Sequence, residues 1–200
     1  MHAAQAGPAA PIPSRPAKLV YTGITSLDGY IADETGRFDW SAPDAEVHAY
    51  INDRERGVGT HLYGRRLYEV MRVWQTMPTE GEPAEIADYA DIWRAADKVV
   101  YSTSLSAVTT PRTRLVRGFD ARDIRALKDS SDRDIAIGGA TLAAHAIAAG
   151  LVDEFHVFVN PVAVGGGTSF LPRGSRLDLE LVDEHRFACG VVHLAYRPRG

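Results

Sequence analysis

The chain has 200 residues, of which 45% are hydrophobic and 24% are charged. This composition is typical of a globular protein with one domain, or two at most, and it excludes a disordered, fibrous or disulfide-stapled chain. A net charge of −4 without long blocks of one sign argues against a nucleic-acid partner. The single cysteine, Cys189, excludes an internal disulfide and a multi-cysteine metal site, and it favours a cytoplasmic location. No apolar run reaches the ~18 residues of a membrane span, so no membrane partner is expected.

Residues 1–17 hold four prolines among small residues and lack the charged start and apolar core of a secretory signal. They are expected to form a flexible tail, because alanine and proline bury little surface. An ordered arm across a partner subunit is the alternative. One domain is then expected over residues 18–200.

Short apolar runs alternate with helical patterns from residue 18 onward, which predicts an α/β fold with a mixed sheet. Strands are predicted at residues 19–25, 60–64, 98–102, 113–117, 134–137, 155–160, 177–182 and 191–197. One helix is predicted to begin between residues 41 and 44, and others to cover residues 65–71, 86–98, 121–128 and 140–149. The last two strands should form an antiparallel hairpin.

Helical spacing predicts which side chains of the first two helices face solvent or the core. The exposed face of the first helix is expected to carry Glu46, Asp53 and Glu55. The inward face of the second helix is expected to carry Leu67, Val70 and Met71.

The predicted strand at residues 155–160 has apolar side chains on both of its faces. A homodimer formed through this strand is therefore predicted. The alternative is that Phe158 belongs to an internal core.

Two predicted helices begin directly after a strand that ends in glycine, where backbone N–H groups and the helix dipole suit a phosphorylated ligand. Two arginines begin one of these helices, and three hydroxyl residues end another strand. The residues that provide these groups are Gly64, Arg65, Arg66, Ser102, Thr103, Ser104, Gly138 and Gly139. Together they predict a dinucleotide groove. The structural alternatives are that the glycines only relieve crowding and that the arginines form a solvated or ion-paired helix end.

The usual nucleotide and hydrolase motifs are missing from the sequence. No GxGxxG follows the first strand, and Gly165–Gly167 is not followed by Lys-Ser or Lys-Thr, so a Rossmann domain or P-loop is not expected. Neither GxSxG nor HExxH occurs, and the seven histidines show no metal-ligand spacing, so no metal is expected. Cys189 lies in the predicted hairpin turn, where a small turn residue explains it more simply than a nucleophile.

Two carboxylates and three aromatic residues lie in or near the first predicted loop: Asp28, Asp44, Tyr30, Trp40 and Tyr50. This mixture suits a flat heteroaromatic ring held by stacking and by hydrogen bonds to an acid. Each acid also has a structural explanation. Asp44 can cap the helix that follows it, and Asp28 can close an Asp-Gly turn.

Five segments resemble the dihydrofolate reductase superfamily in their order and spacing. They are residues 26–32 (SLDGYIA), 63–69 (YGRRLYE), 100–105 (VYSTSL), 137–142 (IGGATL) and 150–154 (GLVDE), followed by Asn160–Pro161, Gly165–Gly167 and Phe170. Within that superfamily the chain is most similar to stand-alone bacterial proteins that share the reductase domain of the bifunctional riboflavin-biosynthesis deaminase-reductase.

The resemblance implies a dihydrofolate-reductase-like α/β/α fold with three layers, a mostly parallel central sheet and an antiparallel C-terminal hairpin. It also implies hydride transfer from NADPH to a small heterocyclic or sugar-linked substrate. By analogy Gly64, Arg65 and Arg66 bind cofactor phosphates, and Ser102 and Ser104 lie at the adenosine 2′-phosphate. The segment expected to cover the pyrophosphate consists of Gly138, Gly139, Ala140, Thr141 and Leu142. Residues 26–32 would border nicotinamide and substrate.

The substrate that the resemblance implies is 5-amino-6-(5-phosphoribosylamino)uracil, with dihydrofolate as the alternative and a non-catalytic nucleotide-binding protein as a third possibility. Two departures separate this chain from these relatives. Tyr30 stands where riboflavin-pathway reductases typically carry a basic residue, and Asp44 lies one position before the acid of dihydrofolate reductases. Asp28 is the first candidate for assisting proton delivery, because its loop should border nicotinamide, and Asp44 is the second.

Overall fold

Ten strands and five α-helices follow one another along residues 16–199, the part of the chain that the computed structural model describes. The strands are β1 (Leu19–Thr25), β2 (Tyr30–Ala32), β3 (Val58–Gly64), β4 (Asp97–Tyr101), β5 (Thr113–Val116), β6 (Asp134–Gly138), β7 (Glu154–Val159), β8 (Thr168–Ser169), β9 (Leu179–Arg186) and β10 (Val192–Pro198). The helices are α1 (Ala45–Glu55), α2 (Arg65–Met71), α3 (Ala84–Ala95), α4 (Ala121–Ser130) and α5 (Ala140–Ala148), with short 3-10 helices at Asp39–Ser41 and Arg72–Gln75.

Eight of these strands form one sheet in the order β5–β4–β3–β6–β1–β7–β10–β9. The first six in that order are parallel to one another, whereas β10 runs antiparallel to both β7 and β9. The connection after β1 leads to β3, on the β5 side of the sheet, whereas the connection after the neighbouring strand β6 leads to β7, on the β9 side. The direction of the connections therefore reverses between β1 and β6. In open α/β sheets, ligands bind beside such a reversal, at the carboxyl ends of the strands.

Helices cover both faces of the sheet and give the predicted three-layer fold. On one face, α4 and α5 join a buried cluster that includes Leu62 of β3. On the other face, Trp93 of α3 packs with Tyr63, the next residue of β3. Successive residues of a strand point to opposite faces, and this alternation is what separates the two cores. α1 covers the same face as α3, where Val47 meets Phe158 of β7.

The strands and helices predicted for the main sheet are confirmed, with ends that differ by up to four residues. The predicted antiparallel hairpin is also confirmed as β9 and β10. The pairing of β2 with β8 is an addition, since strands of three and two residues are too short to show an alternating pattern.

Two helix-face predictions are wrong. Glu55 is buried at the end of α1, where its Oε2 lies 3.7 Å from Nδ1 of His61 on β3. Val70 of α2 is 44% exposed, and Tyr68 is the buried residue of that helix instead. Both errors have the same cause. Periodicity shows which residues of a helix share a face, but it does not show which neighbouring element each end of that face approaches.

The dimer surface predicted on residues 155–160 is also wrong. β7 lies inside the sheet between β1 and β10, and Phe155 and Phe158 are buried in separate internal clusters on its two faces. The alternative explanation of Phe158, an internal core, therefore holds. A homodimer stays a prediction without this surface.

The predicted tail, residues 1–17, lies outside the described residues except for its last two positions. Ala17 is buried, and its backbone N–H donates to the carbonyl oxygen of Lys128. The folded part of the chain therefore includes Ala17. No helix within residues 16–199 has the length and apolar character needed to cross a membrane.

Candidate functional site

The carboxyl ends of β4, β3, β6, β1 and β7 lie side by side along one edge of the sheet. The residues that end or follow these strands are, in that order, Ser102, Gly64, Gly138, Ser26 and Asn160. Because neighbouring strands are about 4.8 Å apart, the edge from β4 to β7 is about 19 Å long. The fold thus places the two glycine-led helix starts between a serine-containing loop and Asn160.

Two glycine segments pack against each other at the centre of this edge. Gly139 has a φ of +92°, which favours glycine, and it precedes α5 without a side-chain cap. A Cβ at Gly139 would lie 3.8 Å from the backbone nitrogen of Gly64, and one at Gly138 would lie 2.3 Å from Cδ2 of Leu67. Close packing therefore explains Gly138. The first N–H groups of α5 have no side-chain partner among the described residues and can donate to an anion.

The two arginines at the start of α2 are both exposed, but they differ in their partners. Nη1 of Arg65 lies 3.1 Å from Oε1 of Glu69, an ion pair within the helix. The structural alternative therefore applies to Arg65. The Arg66 side chain has no hydrogen-bond or ion-pair partner among residues 16–199, so it can bind an anion without losing another contact.

The loop after β4 is held in place by side-chain contacts to its own backbone. Oγ of Ser102 accepts hydrogen bonds from the N–H groups of Leu105 at 2.9 Å and Ser104 at 3.2 Å. The Arg117 guanidinium donates to the carbonyl oxygens of Ser102 at 3.2 Å and Leu105 at 2.5 Å. Thr103 is exposed in the same loop. Hydroxyl groups beside a fixed guanidinium suit a phosphate ligand.

A cavity of about 230 Å³ lies near the β7 end of the edge, between the start of α1 and the turn that joins β9 to β10. Its lining consists of Trp40, Ala42, Pro43, Asp44, Asn160, Pro161, Val162, Cys189 and Val191. The lining holds one carboxylate and no basic side chain. Mostly apolar walls with a few polar groups are typical of a site for a small molecule.

Asp44 both caps α1 and lines the cavity. Its carboxylate accepts a hydrogen bond from the backbone N–H of Val47 at 2.9 Å. This hydrogen bond, and next a hydrogen bond from the Cys189 side chain, lower the pKa of Asp44, so the group is ionised at neutral pH. The capping role predicted as the alternative is confirmed, and the same carboxylate faces the cavity.

Asp28 holds two loops together rather than lining the cavity. Its carboxylate oxygens accept hydrogen bonds from the backbone N–H groups of Val164 at 3.2 Å and Gly165 at 2.7 Å. Hydrogen bonding, first from the Ser26 side chain and then from these N–H groups, lowers the pKa of Asp28. The adjacent N–H of Leu27 donates to the carbonyl oxygen of Val162, a residue of the cavity lining.

The three aromatic candidates lie in different places. Trp40 lines the cavity, and its buried indole N–H has no hydrogen-bond partner among the described residues. Tyr30 lies on β2, half-buried, and does not line the cavity. Tyr50 is also outside the lining, because it packs on Phe187 and its hydroxyl contacts Nδ1 of His193 at 3.2 Å. The fold therefore brings Trp40 and Asp44 together and leaves Tyr30 and Tyr50 apart from them.

Residues 17–193 match the family model described as the RibD C-terminal domain. The chain belongs to the RibD C-terminal domain family. A curated relative in Bacillus subtilis (strain 168), the uncharacterized protein YyaP, is 28% identical over 186 residues, which span 92% of this chain and 96% of that protein.

Solved structures share the fold of this RibD C-terminal domain. A putative riboflavin biosynthesis protein from Shewanella sp. PV-4 has a TM-score of 0.69 at 21% identity, over 92% of this chain and 99% of that one. Dihydrofolate reductase from Enterococcus faecalis, complexed with NADP(H), has a TM-score of 0.62 at 15% identity, over 93% of this chain and 99% of that one. The deaminase/5-amino-6-(5-phosphoribosylamino)uracil reductase of Thermotoga maritima has a TM-score of 0.61 at 15% identity, over 92% of this chain and 57% of that one. The predicted superfamily and its dihydrofolate-reductase-like fold are thus confirmed.

Sequence patterns did not indicate Asn160, Val162, Cys189 or Val191 of this RibD C-terminal domain as site residues. The sequence could have indicated Asn160, because this residue directly follows a strand of the parallel sheet, and ligands bind at the carboxyl ends of such strands. It could not have indicated Cys189, because only the antiparallel pairing of β9 with β10 brings its turn beside Asp44.

Proposed function

We propose that this protein is an NADPH-dependent reductase that acts on a small heterocyclic or sugar-linked compound. The observation that carries the proposal is the layout of one sheet edge, where backbone N–H, hydroxyl and guanidinium groups that could bind an anion lie at the β3, β4 and β6 ends and a mostly apolar cavity lies near the β7 end. Membership of the RibD C-terminal domain family supports it. A cytoplasmic location accords with this function.

The residues at the anion-binding end fit a dinucleotide phosphate ester. The first N–H groups of α5 would hold the pyrophosphate, next to the close contact of Gly139 with Gly64. Arg66 and the hydroxyls of Ser102 and Ser104 would hold the 2′-phosphate side. When bound, NADPH supplies a hydride, so the protein needs no nucleophile of its own.

The cavity would hold the substrate ring beside the end of β1. Trp40 would provide a flat wall and an indole N–H donor, and Asp44 would accept hydrogen bonds from the ring. Reduction also consumes a proton, and a carboxylate at the ring can position a donor water. The geometry favours Asp44 for this contact. Asp28 would act by fixing the loop over residues 26–30 through Val164 and Gly165.

NADPH oxidation by the full chain tests the proposed activity. The substrate panel contains 5-amino-6-(5-phosphoribosylamino)uracil and dihydrofolate, and loss of the reduced-nicotinamide absorbance is the readout. Turnover of either compound supports a reductase and selects between the two substrate classes. Tight NADPH binding without turnover of any panel member would instead favour the non-catalytic nucleotide-binding protein.

Cofactor choice tests the anion-binding end separately. The wild type should bind NADPH more tightly than NADH, because the 2′-phosphate adds charge-assisted hydrogen bonds. Arg66→Ala should weaken NADPH binding about tenfold and leave NADH binding nearly unchanged, since one such bond contributes about 1.5 kcal/mol. Arg122→Ala, a change at an exposed arginine on α4, is the matched control and should alter neither affinity. Equal wild-type affinities for the two nicotinamides would contradict this assignment.

A further inference from the structure

The two ends of the candidate site carry opposite charges. Three arginines lie beside the strand ends at the cofactor end, Arg65, Arg66 and Arg117, and of these three Arg65 is paired with a carboxylate, that of Glu69. Three carboxylates lie in the cavity lining or within two residues of it along the chain: Asp39, Asp44 and Glu46. A dianionic cofactor phosphate therefore meets positive charge, whereas a substrate entering the cavity meets negative charge.

The negative charge around the cavity is held there by the fold. Asp44 is fixed by its bond to the N–H of Val47, and Oε2 of Glu46 accepts from the N–H of Ala188 at 3.1 Å, next to Cys189. Asp39 directly precedes Trp40 of the lining and is exposed. These groups belong to the 3-10 helix before α1 and to α1 itself, so a bound ligand cannot displace them far.

No basic side chain among the described residues balances this charge inside the cavity. Arg37 is the basic residue nearest to Trp40 along the chain. Its Nε is bonded to Oγ1 of Thr35 at 3.0 Å and to Oδ2 of Asp33 at 3.4 Å. The guanidinium is thus engaged within its own turn.

The polar groups of the cavity also require particular hydrogen-bonding groups on a ligand. The buried indole N–H of Trp40 lacks an acceptor among residues 16–199, and a ring nitrogen or a carbonyl oxygen would provide one. Asp44 offers an ionised acceptor to an N–H donor or to a positively charged ring. A nitrogen heterocycle carries both kinds of group, whereas a phosphate carries only acceptors and negative charge.

We propose that the substrate is an uncharged or cationic nitrogen heterocycle that carries no phosphate group. The inference rests on the proposed reductase function, and it narrows the substrate class within it. A phosphorylated substrate would bring a dianion towards Asp44 with no cation in the lining to offset the repulsion.

Cys189 allows the charge of the cavity to be measured without knowing the substrate. It is the only cysteine of the chain, it is exposed, and it lines the cavity. The probes are a pair of methanethiosulfonate reagents of similar size, one with a trimethylammonium group and one with a sulfonate group. Both react with the same thiolate, so the ratio of their rates does not depend on how much thiolate is present. Dividing by the ratio for a small free thiol leaves the effect of the local charge.

The cationic reagent should react about tenfold faster than the anionic one at about 10 mM salt, and this preference should shrink at about 0.5 M salt. Asp44→Asn should reduce the preference at least threefold while keeping the helix cap, because asparagine caps as well as aspartate. Asp123→Asn, an equal change of charge on the exposed face of α4, should leave the ratio unchanged. A ratio near one in the wild type, or a faster anionic reagent, would overturn the proposal.

A matched substrate pair provides the second measurement. 5-Amino-6-ribosylaminouracil and its 5′-phosphate are compared at saturating NADPH, because the ribosyl group of each can still accept a hydride, and the unphosphorylated member should have the higher kcat/KM. A higher value for the phosphate would overturn the proposal while leaving the reductase function in place. Failure of the reductase function would give a different result: NADPH would not bind or would not be oxidised with either compound. The ratio of the two reagent rates at Cys189 would still report the charge of the cavity in that case.

Discussion

Glu55 should make the stability of this protein depend on pH near neutrality. The residue ends α1 and is buried between that helix and the sheet, with its carboxyl 3.7 Å from the His61 ring. Burial raises the pKa of Glu55 from its usual 4.5 to about 7, and it lowers the pKa of His61 to about 3. His61 is therefore neutral at pH 7, so the contact is not an ion pair that could offset the burial of a charged Glu55.

The direction of the effect follows from the two protonation states. Below the unfolded pKa of 4.5, Glu55 is protonated in both the folded and the unfolded chain, and no penalty arises. Between 4.5 and about 7 the unfolded chain loses this proton first, so the free energy of unfolding falls as pH rises. One pH unit corresponds to 1.36 kcal/mol, so the total loss is about 3 kcal/mol. The loss is complete above pH 7.

Urea unfolding of the wild type and of Glu55→Gln, followed by circular dichroism from about pH 5 to about pH 8.5, measures this effect. The variant should gain about 2–3 kcal/mol relative to the wild type across this range, because glutamine has no charge to bury. The difference between the two proteins is the quantity to compare. His61 has the opposite influence below pH 6.5, where the unfolded chain binds its proton first, and this influence is present in both proteins.

Asp53→Asn is the matched control, since it removes the same charge from the exposed face of α1. Its stability should run parallel to that of the wild type at every pH. A difference between Glu55→Gln and the wild type that stays flat from pH 5 to pH 8.5 would refute the reasoning. It would mean that the pKa of Glu55 is the same in the folded and the unfolded chain.

Three further outcomes are expected. Gly138→Ala should destabilise the protein by about 1–3 kcal/mol in urea unfolding, because the added Cβ would lie 2.3 Å from Cδ2 of Leu67, whereas Gly118→Ala, with open space at its Cβ, should not. Asp28→Asn should lower the single-turnover hydride-transfer rate about tenfold, because it weakens the hydrogen bond that fixes the loop at Gly165. The affinity for NADPH should be nearly unchanged. An unchanged rate would remove Asp28 from the site. Asp44→Asn should keep the wild-type stability within about 0.5 kcal/mol and lower kcat/KM at least tenfold, and a stability loss with unchanged kinetics would reduce Asp44 to a helix cap.

The sequence alone determined the order and type of the main strands and helices. Hydrophobic periodicity, the Asp44 cap and the glycine-led helix starts are local signals, and each depends on residues only a few positions apart. The family motifs are equally local, so they identified the superfamily. β2 and β8 carry no such local signal, because a pair of such short strands exists only through its long-range pairing.

Tertiary structure decided which of the candidate residues meet. Asp44 and Cys189 are far apart along the chain, and only the β9–β10 turn over the start of α1 makes them neighbours in one cavity. Tyr50 lies on the helix that Asp44 caps, yet its ring packs on Phe187 and its hydroxyl contacts His193. Tyr50 therefore does not line the cavity. The burial of Glu55 was likewise hidden, since the polarity of a residue does not reveal which neighbour its end of the helix approaches. Side-chain chemistry is encoded locally, but burial, charge balance and the shape of a cavity depend on elements that are distant in sequence.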